Sequence, residues 1–141
     1  MDELNRNMLA LLQQDGRMSI ADLAAGLKVS RATVKARLDK LIAEGEIGGF
    51  SVKLKSELSP HTVRAIMMLE IEGKPSNSLI VRLKAMPEVL AVHSTNGRWD
   101  FIVEIGTHSL ESFDQTIKAI RLLDSVSLSE TSIKLTTHKS N

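Results

Sequence analysis

A chain of 141 residues with a formal net charge of +1 and no cysteine can hold one domain or two small ones. It has no disulfide framework, thiolate nucleophile or cysteine metal site, which fits a reducing, cytoplasmic setting. The start, Met-Asp-Glu-Leu-Asn-Arg, has no basic region leading into an apolar core, and later apolar runs are broken within a few residues, so neither a signal peptide nor a membrane span is expected.

In chain order, Leu4, Met8, Leu11 and Leu12 recur at i, i+4, i+7 and i+8, with Asp2 placed as N-cap and Gly16 placed to end a first helix. The stretch from Ser19 to Gly45 then reads as two short helices split by a glycine-bearing turn, a helix-turn-helix. Ser19 with Asp22 fits a capping box, and Ser30 can accept from the free N–H groups that open the second of these helices. Ile20, Leu23, Ala24 and Leu27 form one buried stripe and Val34, Leu38, Leu41 and Ile42 another, so three helices can close a small core.

Thr33, Ala36, Arg37 and Lys40 gather in another sector of the last helix, small near the middle and basic toward the end. A helix that enters the major groove needs little bulk where backbones approach, and Arg or Lys to reach guanine edges or phosphates. The expectation is double-stranded DNA read through Thr33, Ala36 and Arg37 and anchored through Ser30, Arg31, Lys35 and Lys40. On an isolated helix such a face would be read as solvated charge; the preceding helix and turn tip the balance. Charge supports this: Lys28 to Lys55 carries seven basic residues against three acids, whereas Asp2 to Leu27 carries two against four.

After Gly48 and Gly49, Phe50, Val52 and Leu54 alternate with Ser51, Lys53 and Lys55, the period of a half-buried strand. This predicts a wing, with Lys53 or Lys55 near phosphate or simply solvated. Ser56 to Thr62 lacks periodicity and carries the first proline, so the expected division is a DNA-binding domain over 1–55, a linker over 56–62 and a second domain over 63–141. That second domain reads as a strand from Val63 to Glu72, a helix from Ser76 to Met86, strands from Val89 to Thr95 and Trp99 to Ile105, a helix from Ser109 to Leu123, and a strand from Val126 to Thr137. The order βαββαβ is the ferredoxin-like arrangement, with both helices on one side of an antiparallel sheet, in an α+β chain. Ile66 and Met68 on one side of the first strand, and Met67, Leu69 and Ile71 on the other, suggest that both faces are covered, the second by another subunit in a homodimer.

The run Gln-Gln-Asp-Gly-Arg-Met-Ser-Ile-Ala-Asp-Leu-Ala, the run from Val29 to Phe50 and the turn Gly97-Arg98-Trp99-Asp100 resemble the Lrp/AsnC (feast-famine) transcription regulators along the whole chain. The resemblance implies a winged helix-turn-helix followed by a ferredoxin-like (RAM/ACT-like) domain that dimerises and assembles further, into tetramers or octamers. It also implies a small, amino-acid-like effector bound between dimers near Asn96, Gly97 and Asp100, with Ser132, Ile133 and Lys134 as pocket neighbours. Asp100 could accept from an ammonium group and N–H groups around Gly97 could take a carboxylate; equally, both residues suit a plain hairpin turn. The chain departs from the family pattern at Asn5, where Asp is usual, at Glu46, where Val is common, and at Ser132, where an aromatic is frequent.

The plan also resembles sirohaem decarboxylases, which use histidine and arginine around a tetrapyrrole. His61, His93, His108 and His138 are scattered without metal-ligand spacing, and no phosphate loop or nucleophile motif is present. A binding protein without cofactor or metal is therefore expected rather than an enzyme. An effector-sensing module with a vestigial helix-turn-helix is a third reading, opposed by Arg37 and Lys40.

Overall fold

The computed structural model describes residues 1–73 and 77–140 and divides into two units, Met1–Lys53 and Leu54–Asn141.

In the first unit, α1 (Glu3–Gln14), α2 (Ile20–Leu27) and α3 (Arg31–Ala43) surround Met8, Leu23, Val34 and Leu41, each at most 3 % exposed. Side-chain oxygens start each helix. Asp2 accepts from the Asn5 N–H, Ser19 from Asp22 and Ser30 from Thr33, each cap satisfying one donor the helix cannot. The turn between α2 and α3 differs from expectation: Gly26 lies inside α2, and the left-handed residue is Lys28, at φ 58°. A Cβ on Gly26 would stand 3.6 Å from Leu11 Cδ1, so the glycine lies where α1 packs close.

The wing strand expected over 50–55 is not formed. These residues join no ladder, and Phe50, Val52 and Leu54 are all more than half exposed. Alternation supplies the period of a strand, but a strand also needs a neighbour to take its backbone groups, and here none does.

The second unit opens with a 3₁₀ turn (Ser56–Leu58) and contains β1 (Val63–Ile71), α4 (Asn77–Ala85), β2 (Val89–Ser94), β3 (Phe101–Thr107), α5 (Leu110–Arg121) and β4 (Val126–Ile133). The sheet is antiparallel in the order β2-β3-β1-β4, the ferredoxin-like arrangement. Ala65, Met67, Leu69 and Ile71 of β1 and Phe101, Val103 and Ile105 of β3 pack with Leu79 and Leu83 of α4 and Phe113, Ile117 and Ile120 of α5. Period-two alternation on the strands meets helical stripes, so both helices cover one face.

The other face of β1 is only half-covered within one chain, at Ile66 and Met68. Glu104 lies across it, 3.4 Å from His93 Nε2 and 3.6 Å from Lys134 Nζ.

Element ends shift from expectation. Trp99 belongs to the turn before β3, because Thr95 bonds both the Trp99 carbonyl, through its hydroxyl, and the Asp100 carbonyl, through its N–H at 3.1 Å. The final strand stops at Ile133 instead of Thr137, and Ser76, the expected start of α4, lies outside the described residues.

Candidate nucleic-acid interface and effector loop

Apart from Lys53, the positions expected to touch DNA lie on α3 or cap it, but not all of them face the same way. Ser30 Oγ accepts from the Thr33 N–H at 3.1 Å and lies 2.9 Å from the Thr33 hydroxyl, so both hydroxyls are committed to the helix start. Arg31, Lys35, Ala36 and Lys40 are exposed. Lys35 pairs with Asp39 at 2.8 Å and Lys40 with Glu44 at 3.8 Å. Exposed pairs at i, i+4 are worth only about 0.3–0.5 kcal/mol, so either lysine can exchange its carboxylate for a phosphate at little cost. Arg31 and Lys53 carry no ion pair among the described residues and are fully available.

Arg37 behaves otherwise. Its Nη1 donates to Asp2 Oδ2 and, at 3.1 Å, to Asn5 Oδ1, and its side chain is 35 % exposed. The Asp2 carboxyl is held below the ordinary aspartate range, first by the Asn5 N–H it caps and then by this guanidinium. Arg37 thus lies along the α1 side of α3, whereas Ala36 points away from the core.

The six residues assigned to an effector do not converge within one chain. Asp100 sits at one end of the sheet: its Oδ2 accepts from the Ile71 N–H at 2.8 Å, and its own N–H donates to the Leu69 carbonyl at 2.9 Å. Ser132 and Ile133 pair with Ile66 and Ala65, and the Lys134 N–H reaches the Arg64 carbonyl. Ile71 is five steps along β1 from Ile66, about 16 Å at about 3.3 Å per residue.

The turn itself is more committed than its sequence suggests. The Gly97 N–H donates to Thr95 Oγ1 at 3.2 Å, so it is not open to a carboxylate, and a Cβ on Gly97 would meet nothing closer than 3.8 Å. Asn96 is exposed. The Arg98 guanidinium lies 4.7 Å from the Trp99 ring centroid and 3.4 Å from Glu70. Thr95 and Glu70, both missed in the sequence, organise this loop; a threonine immediately before Asn-Gly was the available signal.

A cleft of about 500 Å³ belongs to the first unit and is lined by residues that include Leu9, Leu12, Ile47 and Phe50. Among the described residues no group of three or more His, Asp or Glu side chains could hold a metal ion, and no helix is long and apolar enough to cross a membrane.

Comparison with known proteins agrees with this architecture. Residues 1–42 match the AsnC-type helix-turn-helix domain and residues 64–141 the Lrp/AsnC ligand binding domain. An uncharacterized HTH-type transcriptional regulator of Pyrococcus furiosus is 31 % identical over 134 residues, covering 95 % of this chain and 90 % of that protein. The HTH-type transcriptional regulator LysM of Saccharolobus solfataricus is 29 % identical over 126 residues, covering 89 % and 87 %. In fold, E. coli AsnC superposes with a TM-score of 0.87 at 23 % identity, over 100 % of this chain and 96 % of that one. Two matched domains spanning most of the sequence, together with the helix-turn-helix and the βαββαβ sheet, identify the chain as a member of the Lrp/AsnC family of helix-turn-helix transcriptional regulators.

Proposed function

We propose that this protein is a sequence-specific DNA-binding transcriptional regulator, not an enzyme, acting in the cytoplasm as a homodimer that assembles further into tetramers or octamers. The observation that carries the reading is the outward side of α3, where Ala36 leaves room for a groove floor while Lys35 and Lys40 stand exposed on its flanks and Arg31 stands exposed at the start of the helix. Thr33 and Ala36 lie toward the bases, and Ser30, Arg31, Lys35, Lys40 and Lys53 toward the backbone. The half-covered sheet face around Ile66 and Met68 is the dimer surface, so that one dimer carries two reading helices for two half-sites.

A small amino-acid-like effector binds between dimers. The separation of Asn96, Gly97 and Asp100 from Ser132, Ile133 and Lys134 supports a site built from two chains, since one chain holds the two halves toward opposite ends of β1. Gel-shift titration against the chain's own upstream DNA, with and without each of the common amino acids, tests both statements. A single preferred fragment is expected, with affinity altered by at least one amino acid. Equal affinity for every fragment overturns the regulator reading, and indifference to every amino acid overturns the effector.

A further inference from the structure

α3 must present its outward residues to a groove at a fixed rotation, and productive recognition tolerates errors of only about 0.5 Å and 10–20°. Successive helical residues turn by about 100°, so Arg37 stands about 60° from Val34 and 40° from Leu41, whereas Ala36 stands about 160° from Val34. Val34 and Leu41 are the buried residues of α3. Arg37 is therefore on the flank of the buried stripe. Its guanidinium reaches across to α1, where the Asp2 carboxylate divides its two oxygens: Oδ1 caps α1 through the Asn5 N–H at 2.9 Å, and Oδ2 takes Arg37. Asn5 Oδ1 accepts a second bond from the same Nη1. Among the described residues this is the only ion pair joining α1 to α3.

We infer that Arg37 is a positioning residue for DNA recognition, acting through Asp2 and Asn5 to fix the rotation of α3 against α1, and that it reads no base itself. The inference rests on the DNA-binding function proposed above. A cation so placed is engaged before DNA arrives. Withdrawing it for a base edge would leave the Asp2 carboxylate without its cation and Asn5 Oδ1 without its donor. Sequence preference then falls to the outward residues, with Ala36 at their centre.

The test is a double-mutant cycle in the full-length protein, read as affinity for the preferred fragment, base preference at each operator position and salt dependence. Asp2→Asn keeps the N-cap, since Asn and Asp cap equally well, and removes only the charge facing Arg37. Asp2→Asn and Arg37→Ala should each weaken binding by about two- to fivefold, the size of a partly exposed ion pair. The double variant should lose no more than the larger single loss.

Base preferences should stay unchanged at every position, and so should the salt slope, because no phosphate contact is lost. Arg37→Lys, which keeps a cation facing Asp2, should recover part of the loss, whereas Arg37→Met, which keeps only the apolar stem, should not. Relaxed preference at one base pair in Arg37→Ala, with Asp2→Asn neutral or tighter, would overturn the inference and make Arg37 a reader. A salt slope reduced by about one in Arg37→Ala would overturn it in favour of a phosphate contact. A wild-type protein with no preferred fragment would overturn the regulator reading itself, and this inference with it.

Discussion

The Asp100 carboxylate accepts the Ile71 N–H at 2.8 Å, so the side chain that family resemblance offers to a ligand is already the buckle between the β2–β3 hairpin and the end of β1. Asp100→Ala leaves that N–H without its acceptor and should destabilise the protein by about 1–2 kcal/mol, whereas Asp100→Asn keeps an acceptor and should lose less. Urea unfolding checks it: a change below about 0.5 kcal/mol, the range of an ordinary surface substitution, would show the buckle to be dispensable. An effector response lost in Asp100→Ala alone is therefore no proof of ligand contact.

Lys28 adopts φ 58° at the end of α2, a conformation that glycine reaches without a Cβ penalty. Lys28→Gly should raise stability by about 0.5–1 kcal/mol, and Lys28→Val should lower it. Thermal unfolding of the two variants reads the sign, and a loss on Lys28→Gly would mean that the lysine side chain contributes more than its backbone costs.

Gly106 lies in β3 where an added Cβ would stand 2.7 Å from Leu90 Cδ1 and 2.9 Å from His61 Cγ. Gly106→Ala should cost about 1–3 kcal/mol through forced displacement of those side chains, with part of the loss recovered when Leu90→Ala, which removes the nearest of those atoms, is added. Additive losses in the double variant would place the strain elsewhere.

Met68 pairs with Ile102 on β3 and Glu130 on β4, on the sheet face proposed for the dimer. Met68→Glu sets a second carboxylate beside Glu130 and desolvates it on association, so sedimentation at micromolar concentration should shift from dimer to monomer. A monomeric wild-type protein would remove the sheet-to-sheet dimer from consideration.

The Asp2 carboxyl titrates below its ordinary value of 3.8. A carboxyl depressed by folding stabilises the folded state fully above its unfolded pKa, and that stabilisation disappears as pH falls through the folded one. Asp2→Asn should therefore flatten the loss of stability below about pH 4 and leave the pH dependence near neutrality unchanged. Superimposable acid limbs for the two proteins would contradict the lowered titration.

Much of the fold was legible because it rests on periodicity. Met8, Leu23, Val34 and Leu41 declare themselves by helical spacing, and Phe101, Val103 and Ile105 by alternation, and all of them are buried. What failed to show were features decided by neighbours instead of by period. Phe50, Val52 and Leu54 alternate like a strand, yet pairing depends on a partner backbone that spacing cannot reveal. Arg37 has the chemistry of a DNA reader at a plausible spacing, and only the approach of Asp2 and Asn5 shows where its guanidinium goes. Asn96, Gly97 and Asp100 were grouped with Ser132 to Lys134 by resemblance, and strand register is what sets them at opposite ends of β1.

The two clusters of buried residues, one around Met8 and Val34 and the other around Met67 and Val103, have no member in common. Each unit fills its interior from its own residues, so each holds the kind of core that a domain needs to fold by itself. Two calorimetric transitions, instead of one, become the expected melt of the whole chain.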